Sequence, residues 1–564
     1  MQLYNDVSGS GGGNNKYCGV KAFNNICKKK GKEEEEVDKM EEKEEEVKTK
    51  VKRMWEMKAR RWLPAVAATP AGNETDLQAL LDFKIRIVED PFNIMSSWND
   101  SIHHCNWLGV SIHHCNWLGV TCNISNGRVI HLSLEHLRLG GTLTPFIGNF
   151  TTLAILNLLN NNFHGEFPQT VGRLLYLQHL NFSLNNFGGS IPSNLSHCTR
   201  LRVLAAGANN LRGTIPAWIG NLSSLSRISF GLNNFIGGIP HEVGLLSNLT
   251  LLVLYGNYLS GTVPSSIYNI SSLYYFTFTQ NHLHGNLPAD VGFTLHNIQV
   301  FAGAVNNLTG SVPPSFLNAS KLEILDLSLN SLTGTLPKDI GVLHRLTRLS
   351  FEQNRLGTGK TDDLRFLDSL VNCTALQVLR LGRNNFGGVM PKSVANFSRQ
   401  LQIFALSSNR IDGNIPVGIG NLANLTILAL EGNRLTGSVP NTLGKLQNLR
   451  LLYLNVNKFS ESSMYSTQSV LSANLRGSIG YVPPVYEQYF VDENKEFECE
   501  ERAMKRYCEI EASAKDLVED CFASLMQIGV SCSANLPSER MPITVVSNKL
   551  HAIKKSLEKN KDEA

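Results

Sequence analysis

Apolar residues return at a fixed interval from about Val129 to Phe459, where the pattern Leu-x-x-Leu-x-Leu-x-x-Asn-x-Leu-x-Gly-x-Ile-Pro recurs every 24 residues for most of the run. Its first positions are Val129, Leu153, Leu177, Leu201, Leu225, Leu249, Leu273, Ile298, Leu322, Leu346, Leu376, Leu401, Leu425 and Leu449, fourteen units with the last incomplete. Such self-similarity marks a repeat array, in which each unit buries its apolar face only by stacking on its neighbours. Within a unit the alternation predicts a short strand: Leu322, Leu325 and Leu327 point inward while Asp326 and Ser328 face out. The array is therefore expected to be an α/β repeat solenoid with parallel strands along a concave face, and at about 4.8 Å per strand that face is roughly 60 Å long.

The remaining fixed positions have structural tasks. An asparagine follows each strand, in a column running Asn161, Asn185, Asn209, Asn233, Asn257, Asn281, Asn306, Asn330, Asn354, Asn384, Asn409, Asn433 and Asn457. A buried amide has two donors and an acceptor with which to satisfy the backbone of adjacent coils. Gly334 and Pro337 carry the coil across its convex side, and Leu332 and Leu336 fill the interior. Cys198 and Cys373 share one repeat position and read as buried, inert thiols. One unit is longer: Leu346 to Leu376 spans 30 residues. It contains Gly357-Thr-Gly359-Lys360-Thr361, but Asn354 stands where a phosphate loop needs glycine and no strand-loop-helix βαβ unit surrounds it.

Upstream, Thr75 to Trp98 places Leu77, Leu80, Leu81, Phe83 and Ile87 near helical spacing, with Thr75 or Asp76 as N-cap. A helical cap is expected there, since a bare solenoid end would open its core to water. The decapeptide at 101–110 is repeated unchanged at 111–120. Cys115 and Cys122 close a short loop beside the first repeat, so a Cys115–Cys122 disulfide is expected to staple the cap. The clustered His103, His104, Cys105, His113, His114 and Cys115 are read as a duplication and not as ordered metal ligation.

Composition narrows the function. A formal charge of +4 over 564 residues, with no basic face, argues against a nucleic-acid partner. The 11 cysteines are odd in number and unevenly spread, so they do not form one disulfide framework. No stretch has the roughly 18 to 20 apolar residues needed for a membrane-spanning helix. Residues 1–72 form a charged, low-complexity leader, expected to be disordered or a solvated helix. Within it, Arg60 to Ala68 reads either as a shortened secretion signal or as an accident of composition. Asn-x-Ser/Thr sequons occur at Asn73, Asn99, Asn123, Asn149, Asn181, Asn194, Asn221, Asn248, Asn269, Asn307, Asn318, Asn372, Asn396 and Asn424. Their concentration in cap and repeats suggests a glycosylated segment shaped for the secretory pathway.

The cap SSWND…CNWLGVTC and the repeated coils resemble the ectodomain of plant leucine-rich-repeat receptor-like serine/threonine kinases, most closely the flagellin- and EF-Tu-sensing immune receptors, from roughly Thr75 to Phe459. The resemblance implies a plant-type horseshoe or superhelix, an extracellular or cell-surface location, a peptide or protein ligand and a co-receptor ectodomain. Segment 460–564 departs from it: 473–487 resembles the end of a kinase activation segment and 520–557 the final kinase helices. The Gly-rich loop, paired Lys and Glu, catalytic Asp and metal-binding Asp of a kinase do not appear in order. Where that family has Pro-Pro-Glu the chain reads Pro483-Pro484-Val485, leaving Arg540 without the partner the resemblance implies.

The chain is thus divided into leader 1–72, cap 73–128, repeats 129–459 and kinase-like remnant 460–564. It is expected to be a non-catalytic recognition module without cofactor or metal; the alternatives are a truncated receptor kinase or a nonfunctional relic. The candidate ligand-binding residues are the outward-facing Tyr275, Thr277, Gln280, Asp326, Arg348, Glu352, Gln353, Arg380, Arg383, Glu431 and Tyr453.

Overall fold

In the computed structural model, residues 73–98 and 113–460 are described. The leader, the first copy of the decapeptide and the two kinase-like segments lie outside them. The cap begins with helix α1 (Asn73–Ile85), followed by strand β1 (Ile87–Glu89). Leu80 and Phe83 are buried, and Leu77 and Leu81 pack against the same core. Two expectations need correction. Ile87 lies in β1, because the helix has already ended. Asp76 is not an N-cap, since α1 starts at Asn73. The Asp76 carboxylate instead accepts Arg128 Nε at 2.9 Å, Arg128 Nη2 at 3.0 Å and the Val129 amide at 2.8 Å. This buried pair ties α1 to the first repeat, and the hydrogen bonds offset the cost of burying a charge.

An aromatic wedge completes the cap. Trp98 lies 5.8 Å from Phe83 and stacks on Trp117 at 5.4 Å, while its indole N–H donates to the Leu118 carbonyl. Cys115 and Cys122 are disulfide-bonded, with Cα atoms 5.5 Å apart. Strand β2 (Val120–Cys122) pairs antiparallel with β3 (Val129–Ser133), and from β3 onward every neighbour is parallel. The result is one 15-stranded sheet that reaches Leu451–Tyr453, the cap strand plus one strand from each of fourteen coils.

The leucines at the first position of each coil are buried, as are Leu325, Leu327, Leu332 and Leu336. The asparagine column acts between coils as well as within them. Asn257 Nδ2 donates to Phe230 of the preceding coil at 3.0 Å and to Leu254 and Tyr255 of its own, while its Oδ1 accepts the Phe235 amide at 3.0 Å. Equivalent bonds recur from Asn161 to Asn457. Just before each asparagine the chain turns through a positive φ, even at Leu232, Gln280, Val305, Gln353 and Arg383. Backbone bonds to the next coil hold that conformation, as in Leu232 N to Tyr255 O at 2.8 Å. They offset an intrinsic preference against it.

The Leu-x-Gly-x-Ile-Pro segments, read from sequence only as a crossing, form further parallel strands on the flank. One run of five reaches from Arg212–Gly213 to Asn307–Thr309. The convex side is mostly short 3₁₀ turns. Their glycines permit close stacking: a Cβ on Gly220 would lie 2.4 Å from the Glu242 carbonyl oxygen.

Replacing Asn257 by alanine leaves the buried Phe235 N–H without its acceptor and takes one donor each from the Phe230, Leu254 and Tyr255 carbonyls. Urea denaturation is expected to show a loss of about 2 to 3 kcal/mol. Asn186, exposed and with a side chain that among the described residues bonds only Asn162, is the control, and its alanine variant should stay within about 0.5 kcal/mol of the parent.

Candidate ligand-binding face

Strand register sorts the candidate residues into rows across the concave sheet. Tyr275 and Arg348 share one row, through Val300 and Ile324. Thr277, Asp326, Arg380 and Tyr453 share the next, through Ala302, Ser350, Ala405 and Ala429. Glu352 and Glu431 lie two residues beyond their strands, Arg348–Ser350 and Ile427–Ala429. Gln280, Gln353 and Arg383 are not strand residues: they occupy the positive-φ turns, and Arg383 Nη1 donates to Gln353 Oε1 at 3.2 Å.

Burial divides the set further. Tyr275 and Thr277 are each 1% exposed, so neither presents an open side chain. Tyr275 is flanked in register by apolar Leu251 and Val300, and Thr277 by Val253 and Ala302, all buried as well. Apolar neighbours a strand spacing apart cover one another, and an outward direction alone does not give exposure. Ser328, expected at the surface, is also buried, sharing a 2.6 Å hydrogen bond with Ser350. Asp326, Arg348, Glu352, Arg380 and Glu431 are partly exposed, and Arg383 and Gln353 are exposed. Three acids and three arginines therefore lie on or just beyond five successive strands, from Asp326 to Glu431.

Glu431 is the perturbed member. Burial raises its carboxyl pKa above the usual range; its own backbone N–H and Ser407 pull it down, Glu352 pushes it up and Arg383 pulls it down. One of its oxygens is buried without a hydrogen-bond partner among the described residues.

Beside this cluster the long coil closes on itself. The Asp363 carboxylate accepts the amides of Thr358 at 2.8 Å, Gly359 at 2.8 Å, Lys360 at 3.2 Å and Gly387 at 3.0 Å, plus the Thr358 hydroxyl at 2.9 Å. The amides that a phosphate would need already hold an internal anion. Sequence reading missed this role of Asp363. Cys198 and Cys373 are buried, which pushes each thiol up to about 11 and leaves it inert. Cys115 and Cys122, though near His114, are joined to each other and offer no thiolate.

The sequons avoid most of this face. Asn149, Asn221, Asn318, Asn372 and Asn396 end convex 3₁₀ turns, and Asn269 follows Ser265–Tyr268. Asn194 lies within another turn, and Asn248 and Asn424 come just before strands. Asn123 lies between β2 and β3, and Asn73 begins α1. Asn181 ends a concave strand, Asn307 begins a flank strand, and Asn99 lies outside the described residues.

Two family models match: the leucine rich repeat N-terminal domain over 73–111 and 111–123, and the Leucine Rich Repeat over 176–198, 248–270, 321–343 and 424–446. The LRR receptor-like serine/threonine-protein kinase EFR of Arabidopsis thaliana is 44% identical over 107 residues, 19% of this chain and 9% of that protein. The receptor kinase-like protein Xa21 of Oryza sativa subsp. japonica is 46% identical over 83 residues, 15% of this chain and 8% of that protein. The chain carries a leucine-rich-repeat N-terminal domain and leucine-rich repeats, and over short segments it is similar to plant receptor-like kinases. The aligned segments span about a tenth of each relative's length. The crystal structure of a TDR receptor shares the solenoid, with a TM-score of 0.52 and 28% identity over 63% of this leucine-rich-repeat protein and 68% of that chain. Among the described residues, no helix is long and apolar enough to cross a membrane.

Glu431 gives this leucine-rich-repeat protein a pH signature. A carboxyl whose folded pKa is raised binds its proton more tightly folded than unfolded, so its contribution falls as pH rises through that window. Glu431→Gln is expected to stabilise the protein at pH 7 and to lose that advantage below pH about 4, where the carboxyl is protonated in both states. Thermal melts across pH check the sign.

Proposed function

We propose that this chain is the recognition part of a receptor-like plant protein, binding a peptide or protein ligand on its concave face and transferring no phosphate itself. The carrying observation is the group of Asp326, Arg348 and Arg380 on neighbouring strands, with Glu352, Arg383 and Glu431 just beyond the strand ends. It lies on a sheet that the core beneath it holds rigid. Mixed charges at fixed spacing select a ligand by pattern, and an extended peptide can meet several coils at once. Similarity to receptor-like kinases supports a signalling role; immune perception, with a co-receptor ectodomain joining the bound ligand, follows from the resemblance of cap and coils to the flagellin- and EF-Tu-sensing receptors. The proposed location is the cell exterior, with N-glycans on the sequon asparagines and mainly outside the ligand face.

The full chain, secreted through an appended signal, is to be panned against a displayed peptide library. A selected peptide should bind the Arg380→Glu variant at least about tenfold more weakly. Arg212→Glu, an exposed charge on the flank, should leave its affinity unchanged. Equal affinity in all three proteins would place recognition elsewhere.

A further inference from the structure

Along the flank beside the concave sheet, successive positive-φ turns leave a groove of about 540 Å³. Its walls include Leu232, Tyr258, Gln280, His282, Asn307 and Leu329, with no carboxylate, lysine or arginine among them. Tyr258 is 54% exposed and Leu232 39%. The Tyr258 ring lies 6.1 Å from the His282 ring of the next coil, the planes tilted by 38°. Neutral amides, a hydroxyl and exposed aromatic faces form a surface suited to an uncharged, hydroxyl-rich ligand: amides exchange hydrogen bonds with hydroxyls and ring faces cover apolar C–H edges.

Asn307, one coil beyond His282 and two beyond Tyr258, opens the sequon Asn307-Leu308-Thr309 and lines this same groove. It is exposed, and its side chain makes no hydrogen bond among the described residues. At the strand spacing, Tyr258 is about 10 Å away, a distance the first two sugars of an N-glycan cover. We propose that Asn307 carries an N-linked glycan whose inner sugars fold back into the groove, against Tyr258 and His282, and cover the flank. In the attachment step Asn307 Nδ2 bonds the anomeric carbon of an oligosaccharide delivered on a lipid diphosphate. The anomeric C–O bond breaks, the diphosphate leaves with its electron pair, and the amide proton passes to base. Other sequons differ: Asn221 ends a convex turn, and Asn248 Nδ2 is held by the Ser223 carbonyl at 3.1 Å.

The test uses the full chain secreted from eukaryotic cells behind an appended signal, with occupancy read by glycopeptide mass spectrometry. Asn307 should be occupied, and peptide N-glycosidase should release its glycan from the native protein roughly fivefold more slowly than that of Asn221. Tyr258→Ala should abolish the difference while Tyr258→Phe keeps it. In Thr309→Ala, which destroys the sequon, tetranitromethane should nitrate Tyr258 several-fold faster than in the parent, a readout that does not depend on the Tyr258 variants folding. An empty Asn307 in protein glycosylated at Asn221, equal release rates at the two sites, or unchanged Tyr258 nitration in Thr309→Ala would each overturn the proposal. None of these outcomes depends on whether the concave face binds a peptide.

Discussion

Everything in this molecule depends on each coil completing the hydrogen bonding of the one before it. The column of buried amides makes that dependence concrete: one asparagine side chain holds carbonyls of two coils and accepts an amide from the earlier one. A coil removed from the stack would lose its apolar cover and these bonds together, so stability is shared between neighbours and not gathered in one centre. Backbone bonds between coils hold a left-handed turn on a residue as unsuited to it as Val305. The backbone path is therefore set by stacking, and side chains at the turns are free to vary.

That freedom is where the proposed recognition resides. The scaffold places Asp326, Arg348, Glu352, Arg380 and Glu431 at spacings fixed by strand register, while the identities at those sites are not needed for the fold. The proposed recognition thus uses a surface whose geometry is determined elsewhere. The long coil obeys the same rule. Its extra residues fold around the Asp363 carboxylate and the 3₁₀ segment Arg365–Asn372, with Phe366, Leu367 and Leu370 buried, and the strand ladder passes through without a break.

Much of the fold was legible because period, alternation and the asparagine column all report one repeated physical unit. Leu322, Leu325 and Asn330 could be assigned their tasks from spacing alone, and the bond between Cys115 and Cys122 from proximity in sequence. Less could be read where a side chain reaches across the chain. Asp76 looked like a helix cap because its partner, Arg128, is 52 residues away. The flank strands were invisible because each is only two to five residues long and most run into a positive-φ glycine. The candidate binding face was legible in direction but not in exposure: alternation points Tyr275 and Thr277 outward, while burial at both depends on neighbours one coil away. The turn positions of Gln280, Gln353 and Arg383 were missed for a similar reason, since nothing local marks a non-glycine residue for positive φ.

The most direct test of the central claim, that stacked coils present a fixed charged surface for recognition, is hydrogen exchange of the secreted full chain with and without a bound peptide. Protection should increase along Arg348–Gln353, Arg380–Arg383 and around Glu431 together, with the convex turns unchanged. Protection confined to the convex turns, or fast exchange of the buried strands in the free protein, would contradict the account.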